Sequence, residues 1–188
     1  REENLELFRY IRQLLNVASS NSNFPRPIFN VINGGAHATN SQSKLDFQEF
    51  QIIPVFEKDS RNNIREKFEK PFDFGMAYGL GKEFYKELKE FLGKKFGKEN
   101  VLLGDEAGFS APFKNNEEAL QILSELIASH RYPLQIGLDA AASRFHEDGT
   151  YTIDGKKYSS EELQIFYLKL IDSYNILLLE DPFYEESF

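Results

Sequence analysis

The sequence predicts an α/β fold built on a largely parallel sheet whose first two strands run antiparallel. Three observations point there. LLGDE at Leu102–Glu106, IGLDA at Ile136–Ala140 and LLLED at Leu177–Asp181 share one plan, an apolar run that ends in acid. A continuous apolar run reads as a strand buried on both faces, and the acid at its exit sits on the rim where parallel strands end. In barrel and open α/β folds that rim holds the active site. From the strand at Leu102 onward, strand and helix patterns alternate, as the βα units of a parallel sheet do. Before it, strands at Ile28–Ile32 and Leu45–Pro54 are joined by a loop and no helix, the connection of an antiparallel pair.

In chain order, Leu5, Phe8, Ile11, Leu14, Leu15 and Ala18 fall at helical spacing and predict an amphipathic helix over Asn4–Ala18. The polar run Ser19–Asn23 with Pro25 and Pro27 ends it in a loop, because proline cannot continue a helix. After the first strand, Asn33-Gly34-Gly35 marks a turn, and Ala36–Lys44 reads as a mobile loop carrying His37. Charged Glu57–Lys70 leads into a long helix over Phe72–Phe96, with Phe72, Met76, Leu80, Phe84, Leu88 and Leu92 as its apolar stripe. Gly79, Gly81 and Gly93 mark kinks or close packing within it.

Asn115 or Asn116 caps the next helix, which runs to Ser129 with Glu117 and Glu118 in its favourable first turn. A strand follows at Leu134–Leu138, tipped by Asp139. Asp154-Gly155 predicts a tight hairpin within Tyr151–Tyr158, and Ser159-x-x-Glu162 is a capping box that opens a helix to about Tyr174. The last strand is Ile176–Glu180.

The bulk properties exclude several function classes. With 22 Lys and Arg against 30 Asp and Glu, the formal charge of −8 argues against a nucleic-acid or anionic-membrane surface and suits a site that concentrates divalent cations. The absence of cysteine removes disulfide scaffolds, zinc-thiolate sites and cysteine nucleophiles. No apolar run approaches the roughly 20 residues of a membrane span. The 18 phenylalanines read as core filling, and His130 and His146 as surface residues. A start at Arg1 and an end just past a strand lead to the expectation of a piece of a longer chain.

If the first strand runs up and the second down, one rim collects His37, Gln48, Glu49, Asp105, Glu106, Asp139, Glu180 and Asp181. Hard carboxylate oxygens without clustered histidine or cysteine select Mg2+, with Mn2+ as a substitute, over zinc. Asp139 and Glu180, each the first polar position after an apolar strand, are the metal-ligand candidates. Adjacent residues on a strand point to opposite faces, so Asp105 and Asp181 fall behind the site, and Gln48 and Glu49 both face it only if the strand start is irregular. Crowding by other carboxylates keeps one of Glu49 and Glu106 protonated, and Glu106 has the better position for a general acid. Magnesium beside a protonated acid suits removal of a proton next to a carboxylate, with the metal holding the enediolate.

Four blocks in order carry a resemblance to a known family. FNVINGGAHA with DFQEFQIIP resembles an N-G-G-x-H-A loop and Q-E-F strand, and LLGDEAGFSAP resembles G-D-E-G-G-F-A-P. IGLDAAASRF is similar to I-G-x-D-x-A-x-S-E-F, and LLLEDPFYEESF to S-I-E-D-P-F. Together they resemble enolase, the glycolytic phosphopyruvate hydratase. Residues 1–188 are then the N-terminal part of its C-terminal barrel domain, with roughly the first five strands of a TIM-like (β/α) barrel. The implied fold is α/β, an incomplete barrel with an antiparallel second strand. The N-terminal capping domain and the last barrel strands fall outside.

The resemblance implies a magnesium-dependent hydro-lyase that reversibly dehydrates 2-phospho-D-glycerate to phosphoenolpyruvate in glycolysis and gluconeogenesis. Glu106 would protonate the departing C3 hydroxyl and Glu49 would assist it. His37, Gln48 and Glu49 would contact the substrate, while Asp139 and Glu180 would hold the catalytic Mg2+. A homodimer or higher homo-oligomer in the cytoplasm is implied, with a cell-surface or secreted pool as a secondary location. The alternative is an enolase-like chain retained only for binding, catalytically dead or displayed on the cell surface. Four departures from the family pattern stand out. His37 and Glu49 lie twelve positions apart, a longer loop than usual; Ala107 stands where the family has glycine; Ser110 is an extra residue; and Arg144 replaces the glutamate of S-E-F.

Overall fold

A computed structural model describes residues 5–16, 25–55 and 73–187. The expected loop at Ser19–Asn23, the charged segment Glu57–Lys70, and Asn4 and Ala18 at the ends of the first helix lie outside the described residues. Helix α1 spans Leu7–Leu14 and buries none of its residues. Strand β1 (Phe29–Asn33) is followed by a 3-10 turn at Gly35–His37, and β2 is Glu49–Pro54. Then come α2 (Phe74–Phe96), β3 (Leu102–Leu103), β4 (Phe109–Ser110), α3 (Asn116–His130) and β5 (Leu134–Asp139). A small antiparallel sheet of β6 (His146–Glu147), β7 (Thr150–Ile153) and β8 (Lys156–Tyr158) precedes α4 (Ser160–Tyr174) and β9 (Ile176–Glu180). No helix among the described residues is long and apolar enough to cross a membrane.

The main sheet has six strands in the order β3-β4-β1-β2-β5-β9, and it is not closed into a barrel. β2 is antiparallel to both of its neighbours, whereas β4 is parallel to β1 and β9 to β5. The expected antiparallel second strand is therefore present. Helices α2, α3 and α4 pack against β2, β5 and β9 respectively. Phe50 and Ile52 of β2, with their partners Leu138 and Ile136 on β5, are buried in the core beside Phe84, Leu88, Leu120, Leu123 and Leu163 of the helices.

Two sequence expectations change in the structure. The apolar face of α2 is Ala77, Gly81, Phe84, Leu88 and Leu92, while Met76 is exposed. Steps of four residues advance about 40° beyond a full turn, so a strict i+4 stripe winds off the core; alternating steps of three and four stay on it. Gly81 is the close-packing site, since a Cβ there would lie 2.6 Å from the Phe29 ring. The second change concerns Leu102–Glu106, expected as a strand buried on both faces. It is instead the first arm of a short hairpin, β3 antiparallel to β4, with Leu102 and Leu103 exposed. Its apolar residues are too few to cross the sheet, and the chain turns back at Gly104–Gly108.

Local signals are otherwise followed closely. Asn115 caps α3 by accepting from the Glu118 N–H, and Ser159 and Glu162 form the expected reciprocal capping box. Asp154 and Gly155 both have positive φ, 49° and 73°, as a two-residue hairpin loop twisted to match its strands requires.

Candidate functional site

The sheet register puts four rim residues in one lateral row. Asn33 of β1 pairs with Glu49 of β2, Glu49 with Asp139 of β5, and Asp139 with Glu180 of β9. Register partners present their side chains to the same face, so Glu49, Asp139 and Glu180 share one surface although they come from strands of both directions. β2 runs opposite to its neighbours, which brings its first residue, not its last, to this rim.

Gln48 joins the row through an irregular approach to the strand. Phe47 and Gln48 form a bend, and the Gln48 amide Nε2 donates to Asp139 Oδ2 at 3.4 Å while its backbone N–H donates to the Asp139 carbonyl at 3.0 Å. The condition under which Gln48 and Glu49 both reach the site is met. The loop carrying His37 is tied down as well, not left mobile. Thr39 Oγ1 donates to the Leu103 carbonyl, the Asn40 N–H to Ser110 Oγ, Asn40 Nδ2 to the Asn100 carbonyl, and the Lys44 N–H to the Phe113 carbonyl. Ser110 is fully buried and anchors this loop.

Glu106 arrives on the β3–β4 hairpin. Its loop closes with Ala107 N–H to Gly104 O and Gly104 N–H to Gly108 O, and Ala107 adopts φ 61°. This is the pattern of a three-residue hairpin loop ending in a left-handed residue, a place where glycine is usual. Tyr85 of α2 donates its hydroxyl to the Ala107 carbonyl and stacks on Phe109 at 4.3 Å, clamping the loop from the helix side. Gly104 and Gly108 press against β1: a Cβ on either would fall within 2.7 Å of an Asn33 side-chain atom. Only glycine at both positions lets the hairpin lie this close to the row.

Three groups consequently converge. His37, Glu49 and Glu106 bring a ring nitrogen and carboxylate oxygens within 4.8 Å of one another, with His37 Nδ1 3.7 Å from Glu49 Oε1. Burial pushes the Glu49 carboxyl up to about 7, helped by its hydrogen bond with Glu106 and opposed by the Gln51 amide, which donates to Glu49 Oε2 at 2.9 Å. The bond with Glu49 and a second from Asn30 Nδ2 at 3.3 Å hold Glu106 below the usual carboxylate range. The two carboxyls therefore titrate as a pair, with buried Glu49 raised and exposed Glu106 lowered.

Asp139 is buried, which raises its pKa; the Ala141 N–H on Oδ1 at 2.9 Å works against that, and the charges of Glu180 and Asp181 add to it. A buried carboxylate with an acidic register partner and, among the described residues, no cation among its hydrogen-bond donors has the donor chemistry of a hard divalent-ion site. Asp139 and Glu180 therefore fit Mg2+. Asp105 and Asp181 are exposed, and His130 and His146 lie elsewhere: His130 Nε2 is 3.3 Å from Glu87, and His146 stacks on Tyr184.

Sequence reading passed over Asn30, Asn33, Gln51 and Tyr85. The signal for three of them is present: amides inside the apolar runs FNVIN and EFQIIP are costly unless something uses them. Asn33 and Gln51 are buried, and Asn33 Nδ2, Asn33 Oδ1 and Gln51 Oε1 have no hydrogen-bond partner among the described residues.

Comparison with known proteins agrees with this geometry. The family described as Enolase, C-terminal TIM barrel domain, matches residues 21–188. Among curated relatives, an enolase of Methanocaldococcus jannaschii is 43% identical over 166 residues, 87% of this chain and 35% of its own length. Enolases of Aeropyrum pernix and Methanosarcina barkeri are 39% and 40% identical over 188 residues, covering 98% of this chain and 38% and 39% of theirs. The chain thus spans between 35% and 39% of the length of these relatives. With its row of rim acids and its family match over residues 21–188, this chain belongs to the enolase family, in the C-terminal TIM barrel domain.

Proposed function

We propose that the chain forms the acid side of an active site that reversibly dehydrates 2-phospho-D-glycerate to phosphoenolpyruvate. The observation that carries the reading is the convergence of Glu49 and Glu106 with His37 within 4.8 Å, set beside the row Glu49–Asp139–Glu180. Residues 1–188 are the N-terminal part of the barrel domain, and a capping domain and further barrel strands complete it in the full protein. The enzyme is a cytoplasmic hydro-lyase that works as a homodimer or higher homo-oligomer.

Asp139 and Glu180 would hold Mg2+, which when bound would supply positive charge beside the substrate carboxylate. His37 and Gln48 contact the substrate from the loop and the bend that precede β2. Substrate settling over exposed Glu106 strips water from its carboxylate, which favours the neutral form and draws the shared proton from Glu49. Once a base from the remainder of the barrel has taken the C2 proton, Glu106 donates its proton to the C3 hydroxyl, and the C3–O bond breaks to release water as the C2–C3 double bond forms. In reverse, Glu106 accepts a proton from the attacking water, and Glu49 steadies it through the same hydrogen bond.

The test is turnover by the full-length protein. Phosphoenolpyruvate should appear from 2-phosphoglycerate in the presence of Mg2+ and stop on chelation. A folded, magnesium-loaded protein that produces none would overturn the reading in favour of a chain kept for binding.

A further inference from the structure

We propose that Asn116, at the first turn of α3, is a positioning residue for Gln48, Glu49 and the His37 turn. The inference rests on the functional reading above, and on a hydrogen-bond network remote from the reacting groups. Asn116 is 1% exposed, and its Oδ1 accepts the backbone N–H groups of Asp46 at 2.9 Å and Phe47 at 3.1 Å. These two residues immediately precede Gln48 and Glu49, in the bend that lets both side chains reach the rim. Phe47 is fully buried, so without Asn116 its N–H would be a buried donor left unpaired.

The amide is itself fixed from two further segments. Asn116 Nδ2 donates to Asp46 Oδ2 at 2.9 Å and to Asp154 Oδ1 at 3.2 Å, and the Asp154 N–H donates to Asp46 Oδ2 at 2.7 Å. Asp154 Oδ1 also accepts the Asn116 N–H at 3.3 Å. The β7–β8 hairpin tip thereby locks the orientation of the amide, so that its oxygen and not its nitrogen meets the bend. From the bend the order spreads to the His37 turn. The Gly34 N–H donates to the Gln48 carbonyl at 3.0 Å and the Gly35 N–H to the Leu45 carbonyl at 2.9 Å. A Cβ on Gly34 would sit 2.3 Å from the Phe47 carbonyl oxygen, so turn and bend are packed without clearance.

A structural role alone would make every change at Asn116 harmful in proportion to the stability it removes. Positioning predicts a split, because an acceptor at Oδ1 is what the bend needs. Asn116→Asp keeps that acceptor but loses the Nδ2 donor and adds a charge beside Asp46 and Asp154. Asn116→Ala removes the acceptor and adds no charge, and Asn116→Ser, whose shorter side chain falls short of the bend, serves if the alanine variant does not fold.

In the full-length enzyme, Asn116→Ala or Asn116→Ser should lower kcat about 10- to 100-fold, the scale of a small misplacement of reacting groups, and raise KM as the substrate contacts of Gln48 and His37 shift. Hydrogen exchange at the Phe47 amide should quicken in the same variants. Asn116→Asp should melt at a lower temperature yet retain most of the kcat and the slow Phe47 exchange. Loss of kcat that follows melting temperature across all the variants would overturn the proposal, as would unchanged kcat in Asn116→Ala. Absence of turnover in the parent enzyme would defeat the functional reading alone. The exchange at Phe47 and at the Gln48 side-chain amide then decides: faster in alanine or serine than in aspartate supports positioning, and equal rates in all reject it.

Discussion

Glu49 and Asp139 face each other on antiparallel strands, and burial raises the pKa of both, but only Glu49 is joined to a second carboxyl. Glu49 keeps a proton through burial and its bond with Glu106, while Asp139 has no such partner and is set among acidic charges. In the proposed reading Glu49 is the proton store and Asp139 the cation ligand.

The proton store makes a prediction about pH. Glu49 has its folded pKa raised from 4.5 to about 7, so the folded state binds more protons than the unfolded state between those values. Stability from this group is complete below 4.5 and is lost as pH rises through about 7. Melting temperature should fall over that window, and Glu49→Gln, which carries its own amide hydrogens, should flatten the slope. An unchanged slope in Glu49→Gln would place the titration elsewhere.

Ala107 carries backbone strain that glycine would relieve. At φ 61° an L-residue costs about 1 to 2 kcal/mol, part of which glycine returns to the entropy of the unfolded chain. Ala107→Gly should therefore stabilise by about 0.5 to 1 kcal/mol in urea unfolding. Gly108→Ala should destabilise by about 1 to 3 kcal/mol. Its Cβ would fall 2.3 Å from Asn33 Oδ1 and lift the hairpin that carries Glu106.

The sheet ends at β3 on one side and β9 on the other, with Leu102, Leu103 and Leu177 exposed there. Unpaired edges with apolar side chains favour association between chains. Residues 1–188 expressed alone should therefore sediment as oligomers or aggregates, and a monodisperse monomer with a cooperative melt would contradict this.

Much of this was legible in the sequence because the signals are local. The hairpin at Asp154-Gly155, the capping box at Ser159 and the strand Ile176–Glu180 depend on short-range chemistry, and the structure follows them. The rim row was legible because each of its acids closes or opens an apolar run. Leu102–Glu106 misled for a physical reason: two leucines before an acid look the same whether the strand is central or a short edge hairpin, and what decides is the sheet order. A raised pKa within the Glu49–Glu106 pair was expected with Glu106 favoured as the acid, whereas it is Glu49 that is raised and Glu106 that is lowered. Burial of Glu49 is a product of tertiary folding, and the Asn30 bond to Glu106 joins residues 76 positions apart in the chain. Asn116 was legible only as a cap candidate; its partners Asp46 and Asp154 meet it through tertiary folding.

The division of roles is tested most directly by measuring Mg2+ affinity and turnover together in full-length Glu106→Gln and Asp139→Asn. The account predicts that Glu106→Gln loses turnover by about 100-fold or more, the scale of a missing general acid, while Mg2+ affinity stays near that of the parent. Asp139→Asn should lose Mg2+ affinity first, with turnover recovering in part at high Mg2+. Equal loss of Mg2+ affinity in both variants would contradict it.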